Sequence, residues 1–453
     1  MLAAIVLAGC GGGTQGSLTP ATTIRAAAAV VRATSNGGRG NAALALDAGW
    51  PWTFERGPAF TGEARGNITA ANLQNLAMAL QTNLGSPAYY SPVIVGSTVI
   101  AASTKTVAAF DLTNGRRLWS FASPARYSLF SAPTVVDASV YVATAWKGAA
   151  VYALDLRTGT PLWSRDFGTK FAAYGAPTPV PALGLVVVGL GNQTEPPCSH
   201  GAILALSAAG GATVWEHDTA TMGNGAGVWN AVNVAGDGSL LVPVGNPCNG
   251  AANTEGDSIL ALDPASGKER WRYTALDALR LDRRDDADYD FGATPVDAAG
   301  LVVAPSKNGI VYAVDRATAS LRWQTPIAAG SSDPTRGGSI SSPAWDGRFL
   351  YVGGGSATGD GTGFLNALTS SGAIAWRIAS PQPVTAPPTV SNDLVFAGFG
   401  TSLVAASTAS GTIVWSAAAG GLVFGGPAIS GDRLCFTSEA GDLLCYRLTQ
   451  PAD

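Results

Sequence analysis

The sequence predicts an all-β protein, an eight-bladed β-propeller of four-stranded blades closed by an N-terminal strand. Three observations carry this. Seven copies of one thirteen-residue phrase end in Trp119, Trp163, Trp215, Trp271, Trp323, Trp376 and Trp415. A second pair of strand-like runs precedes most copies, as in 132–136 with 140–143, and 293–296 with 300–305. The copies recur about every 40–55 residues, the spacing of a propeller blade.

Each phrase reads as a β-hairpin. VYALDLRTGTPLW, ending at Trp163, opens on an apolar run, turns through Asp, Thr and Gly, and closes on a short strand. Gly stands four positions before the Trp in six copies (Gly115, Gly159, Gly211, Gly267, Gly372 and Gly411), and Ala319 replaces it in the seventh. Glycine supplies the positive φ such turns need, and a preceding Asp or Ser can bond the turn's backbone. A Trp is too large for one blade to bury. It is expected to wedge between neighbours, with its indole N–H on a carbonyl.

The eighth blade follows from what is missing. Strands near 434–437 and 443–448 follow Trp415, with no further Trp. Near the other end, 75–80 reads as a lone strand after a short helix over 69–74. That strand is expected to complete the last blade, with Leu80 where Trp would stand, so that the ring has no open edge.

The domain reading is a lipoprotein-type signal segment over 1–10, a flexible tether over 11–49 and the propeller over 50–453. Residues 1–10 read MLAAIVLAGC, an apolar run that resembles a bacterial lipoprotein signal with Cys10 as the acylated residue, although it is short and no Lys or Arg precedes it. Residues 11–49 are rich in Gly, Ala, Ser and Thr, the composition of a tether. No other run approaches the length of a membrane span. The expectation is a protein of the bacterial periplasm or cell surface, lipid-anchored to the membrane and monomeric.

Composition excludes some classes. Charged residues are 13% of the 453 and the formal net charge is −4, which leaves no basic footprint for nucleic acid. There are 5 Cys. With Cys10 acylated, four remain, an even number that suits an oxidising compartment. Cys435 and Cys445 flank a turn symmetrically, within reach of a disulfide across a hairpin. Cys198 and Cys248 lie one repeat apart and could bridge neighbouring blades. Both are candidate pairs, since four cysteines allow three connectivities. No CxxC occurs, and His200 and His217 are the two histidines, too few for a His-rich metal site.

The phrase with Ala-Leu-Asp, Thr-Gly and Trp resembles the repeat of quinoprotein dehydrogenases, which bind pyrroloquinoline quinone (PQQ) at the centre of an eight-bladed propeller. The segment Trp52-Thr53-Phe54 through Asn67–Leu73 is similar to their N-terminal stretch. The arrangement is closest to the polyvinyl-alcohol dehydrogenase-like branch. The same repeat occurs in the outer-membrane β-barrel assembly lipoprotein scaffold, which has no cofactor, so the repeat does not decide the chemistry.

The span 189–315 carries more specific likeness. Gly225-Ala226-Gly227-Val228-Trp229 resembles the segment bearing the Trp platform beneath the quinone. Gly245-Asn246 is similar to the family's Gly-Asn calcium ligand, and Glu195 falls near its carboxylate calcium ligand. Asp288-Tyr289-Asp290-Phe291-Gly292 resembles the segment with the catalytic base, here Asp290. Lys307-Asn308-Gly309 resembles the one with the basic quinone contact, here Lys307. The resemblance thus implies Trp229 and Lys307 as quinone contacts, Glu195, Asn246 and Asp290 as calcium ligands, and Asp290 and Lys307 as catalytic groups. The chemistry is consistent. An indole face suits a flat quinone, calcium takes hard oxygen ligands and acts as a Lewis acid, and a carboxylate can accept an alcohol proton.

Ordinary readings compete with these. Trp229 could be a packing residue, Asn246-Pro247 a turn, and Lys307 a surface lysine. Residues 277–290 carry six Asp and three Arg, the composition of a solvated loop. There are also departures: no two Cys are adjacent to form the vicinal disulfide of many alcohol-oxidising members, Ser103-Thr104-Lys105 and Ala145-Trp146-Lys147 are the candidate contacts in the early blades, and the last phrases have relaxed to LNALT and LVAAS. Two functions follow: a periplasmic PQQ- and calcium-dependent dehydrogenase acting on a small or polymeric alcohol, or a non-catalytic lipoprotein scaffold for an envelope protein partner or a ligand.

Overall fold

The computed structural model describes residue 64 and residues 66–449, except 125–126, 193–198, 221–224, 248–254, 276–288 and 332–335. The segments 1–10 and 11–49, Cys10 among them, lie outside the described residues.

Eight antiparallel sheets follow one another along the chain. Their innermost strands are Val93–Val95, Thr134–Val136, Thr178–Val180, Asn233–Val234, Val296–Ala298, Ala344–Trp345, Thr389–Ser391 and Ala428–Ser430, which define blades one to eight. Each blade then steps outward strand by strand, as blade one does through Thr98–Ala102 and Thr106–Asp111 to Arg117–Ala122. Blades two and three each carry one short additional strand.

The sequence pattern explains the layering. Inner strands such as Leu185–Asn192 and Leu394–Phe399 are buried at every residue, because a neighbouring blade covers each face. Strands covered on both sides read as continuous apolar runs. The outermost strands alternate instead: in Arg117–Ala122 only Trp119 is buried. Alternation marks a strand with one face in solvent.

The tryptophans sit as the phrase predicts. Trp119, Trp163, Trp215, Trp271, Trp323, Trp376 and Trp415 each pair with an Ala on the adjacent strand, next to a register shift. The indole N–H reaches the next blade: Trp119 donates to Leu156 O at 2.9 Å, Trp163 to Ala208 O at 2.8 Å and Trp376 to Thr408 O at 2.9 Å. The ring covers the next blade's turn glycine. Gly411 has φ +72°, and a Cβ there would lie 2.8 Å from Trp376 Cε3. The glycine is therefore required twice, by the turn and by the indole. Ala319 keeps the same backbone, φ +57°, without glycine's freedom.

Closure is also as expected. Leu76–Asn83 pairs antiparallel with Asp442–Leu448 and becomes the outer strand of blade eight. Leu80 pairs with Cys445 beside a register shift, the position Trp holds in the other blades, and is 8% exposed. Cys435 and Cys445 are paired in register and joined by a disulfide. Cys198 and Cys248 lie outside the described residues. The helix expected over 69–74 is a correction: only the 3-10 turn Leu73–Asn75 forms, because the segment is pinned as a strap. Asn392 donates from its side-chain amide to Gly66 O and Ile68 O, and Ala64 N donates to Val390 O. Among the described residues no helix is long and apolar enough to cross a membrane.

Candidate functional site

In each blade the segment entering the innermost strand and the loop joining the second strand to the third lie at the same end of the propeller. This follows from antiparallel up-and-down order. Trp229 and Asp290 lie on entering segments of blades four and five. Asn246 and Lys307 lie on second-to-third loops of the same two blades. The topology therefore brings all four to one mouth of the axial channel.

Asp290 is the hub. It is 2% exposed, and its Oδ2 lies 2.6 Å from Lys307 Nζ. Its Oδ1 accepts the backbone N–H of Asn246. Lys307 is itself only 9% exposed, and its backbone N–H donates to Asp290 O at 3.0 Å. A buried carboxylate and ammonium are stable only when paired and hydrogen-bonded, so the pair is built rather than incidental. Lys307 is not a surface lysine. Asn246 contributes its backbone here, where the sequence pattern implies its side-chain amide.

Trp229 stands beside this pair, half-buried. Gly245 is the hinge between them. A Cβ at Gly245 would run into Trp229 Nε1 and lie 3.0 Å from Asp290 Oδ1. The indole edge and the carboxylate thus converge on a point that only glycine leaves open. Among the described residues Trp229 Nε1 is buried without a hydrogen-bond partner, unlike the indole N–H groups of Trp119, Trp163 and Trp376. Trp229 is therefore not another copy of that packing role.

Two further neighbours are not picked out by the sequence motifs. Tyr174 packs on Trp229 with ring centroids 5.2 Å apart, and burial pushes its phenol up to about 12. Asn230 donates to Gly292 O at 2.9 Å and accepts from Thr294 Oγ1 at 3.1 Å, locking the entering segments of blades four and five together. The chain does carry a signal for Tyr174: Phe130-Ser131-Ala132-Pro133 and Tyr174-Gly175-Ala176-Pro177 repeat an aromatic residue at a fixed distance before the innermost strand. Glu195 lies outside the described residues. A separate group of metal-type ligands, His200, Glu216 and Asp218, has ligand atoms within 4.8 Å of one another on blade three. It contains none of the expected calcium ligands.

This geometry defines the class: a propeller whose axial mouth holds a buried acid–base pair beside a half-open indole. The family described as "Outer membrane protein assembly factor BamB", a PQQ-repeat family, matches residues 27–175, 123–240, 199–363 and 307–450, and the chain belongs to it. No curated protein sequence matches the chain. Solved structures resemble it at low identity. Quinohemoprotein alcohol dehydrogenase from Comamonas testosteroni has a TM-score of 0.74 at 19% identity, covering 91% of this chain and 82% of that one. A europium-containing methanol dehydrogenase has a TM-score of 0.73 at 17% identity, covering 89% and 99%. BamB from Moraxella catarrhalis has a TM-score of 0.60 at 17% identity, covering 83% and 99%. These likenesses establish a fold shared by dehydrogenases and an assembly factor.

Proposed function

We propose that this protein is a PQQ- and calcium-dependent dehydrogenase of the bacterial envelope that oxidises an alcohol. The observation that carries the reading is the buried Asp290–Lys307 pair set against the half-open face of Trp229. The residues present fit the group. The unpartnered Trp229 Nε1 and the cradle at Gly245 mark a place left open beside a flat apolar surface, and the adjoining donors are a hard carboxylate and an ammonium.

Trp229 would hold the quinone on its indole face, with Lys307 at its edge. Asp290, the Asn246 side chain and Glu195 would supply oxygen ligands to calcium. When bound, the quinone serves as hydride acceptor and the calcium as a Lewis acid beside it. The chain's own contribution is proton handling. Asp290 orients the alcohol through its carboxylate and takes the hydroxyl proton at an oxygen. Lys307 Nζ, 2.6 Å away, holds that carboxylate in place and offsets negative charge that develops nearby. Asn246 N–H fixes the carboxylate's orientation, and the aromatic surroundings exclude water.

The Cys435–Cys445 disulfide supports an oxidising compartment, and Cys10 would carry the lipid anchor. The test is reconstitution with PQQ and calcium followed by dye-linked oxidation of primary alcohols. Asp290→Asn is expected to lower turnover at least ~100-fold. Full turnover in that variant would remove Asp290 as the base.

One observation favours the scaffold reading as a second possibility. Leu118, Leu162 and Val214, on the outer strands of blades one, two and three, are 40%, 54% and 54% exposed. They are equivalent exposed apolar positions on three outer strands, which an envelope protein could cover. A chain with no quinone binding but a partner lost on Leu162→Glu would favour it.

A further inference from the structure

The residue four positions before each innermost strand is equivalent in all eight blades, and every one is half-exposed within largely buried surroundings. These eight positions encircle the axis at the mouth that holds Asp290. In blades eight, one, two, three and four they are Phe424, Tyr89, Phe130, Tyr174 and Trp229. In blades five, six and seven they are Gly292, Ile340 and Thr385.

The five rings form a continuous chain of contacts. Centroids are 5.6 Å apart for Phe424 and Tyr89, 6.1 Å for Tyr89 and Phe130, 5.6 Å for Phe130 and Tyr174, and 5.2 Å for Tyr174 and Trp229. Interplanar angles run from 35° to 86°, so faces and edges are both presented, the arrangement that aromatic partners prefer. The remaining three positions carry no aromatic side chain. A Cβ at Gly292 would lie 3.1 Å from Ile340 Cγ2 and 4.0 Å from Lys307 Cε, so this non-aromatic sector borders the Asp290–Lys307 pair. The wall is centred on blade two, and blade five, which carries Asp290, adjoins its Trp229 end.

Two buried polar atoms of this region lack a hydrogen-bond partner among the described residues: Trp229 Nε1 at one end of the wall, and Oη of Tyr90, which packs edge-on against Tyr89 and Phe130. The wall itself carries no ionisable carboxylate or cation, and burial keeps the Tyr174 phenol neutral to about 12. A sugar would need polar partners along its body, and an anion would need a cation. A flat uncharged ring needs neither.

We infer that the aromatic wall binds the ring of an aryl alcohol and presents its hydroxyl to Asp290 beside the wall's Trp229 end. The placement of the hydroxyl rests on the proposed dehydrogenase reading; binding of the ring does not. The test therefore uses cofactor-free full-length protein. Benzyl and cinnamyl alcohol are compared with 1-hexanol and glycerol by ligand-observed saturation-transfer NMR and by quenching of tryptophan fluorescence.

The expected result is at least tenfold tighter binding of the aryl alcohols, with the strongest saturation on aromatic protons. Phe130→Leu and, separately, Phe424→Leu on another blade are each expected to weaken that binding at least fivefold, while Tyr174→Phe leaves it within twofold. Equal binding of aryl and alkyl alcohols would overturn the inference, and so would full aryl binding in both leucine variants. A PQQ titration separates the two readings. Aryl binding without quinone binding supports the wall and removes the redox chemistry; quinone binding without aryl preference does the reverse.

Discussion

Lys307 Nζ lies 2.6 Å from Asp290 Oδ2, and both residues are almost wholly withdrawn from solvent. Removing one charge from such a pair costs more than removing both, because the survivor remains buried. Lys307→Met is expected to destabilise the fold by about 3 kcal/mol. The double variant Asp290→Asn/Lys307→Met should recover most of that loss. Urea unfolding of Lys307→Met, Asp290→Asn and the double variant beside the parent measures it, and additive losses would show that the pair is not coupled.

The turn glycines predict opposite effects at two equivalent positions. At Ala319 a side chain sits at φ +57°, which costs about 1–2 kcal/mol relative to glycine. Ala319→Gly should stabilise by about 1 kcal/mol. Gly411→Ala should destabilise by at least that amount, since the new Cβ also meets Trp376. Thermal unfolding midpoints should move in opposite directions.

The disulfide joins the two central strands of blade eight, with Cys435 and Cys445 both buried. Closing a loop of this size contributes about 2–3 kcal/mol through the unfolded chain. Replacing both cysteines by alanine should lower unfolding stability by that amount under oxidising conditions. Under strong reduction of unfolded chains, parent and variant should converge.

His217 gives a pH dependence of known sign. Its Nδ1 lies 2.8 Å from Gly267 O and its Nε2 lies 2.8 Å from Glu255 Oε2. Only the imidazolium donates from both nitrogens, and the bond to Glu255 leads in raising the His217 pKa above its ordinary value. A raised folded-state value means a contribution fully present below about 6.5 and lost as pH rises through the folded value. The stability gap between the parent and His217→Gln should be larger at about pH 6 than at about pH 8.5. An equal gap at both would show that the charge is not responsible.

Legibility in the sequence followed repetition. Trp and Gly recur in register, so the ring, its blade count and the role of Leu80 are readable from the chain alone. The Cys435–Cys445 pair is legible because a hairpin fixes which residues face each other. The sequence motifs single out Trp229, Asn246, Asp290 and Lys307, which the fold brings to one mouth, but their mutual geometry is not legible. That the Asn246 backbone N–H donates to Asp290 depends on loop conformation, which no side-chain pattern encodes. The aromatic wall is hidden for another reason. Tyr89, Phe130, Tyr174, Trp229 and Phe424 lie on separate blades, tens of residues apart, and become neighbours only when the blades close around the axis. The short helix expected over 69–74 fails because strap contacts to Asn392 outweigh weak local propensity.

The central claim is that the Asp290–Lys307–Trp229 mouth holds a quinone. It is tested most directly by titrating the purified protein with PQQ in the presence of calcium and following tryptophan quenching and the quinone absorbance. The account predicts saturable binding in the micromolar range, weakened at least tenfold in Trp229→Leu and in Lys307→Met. No saturable binding, or binding indifferent to both substitutions, would contradict it.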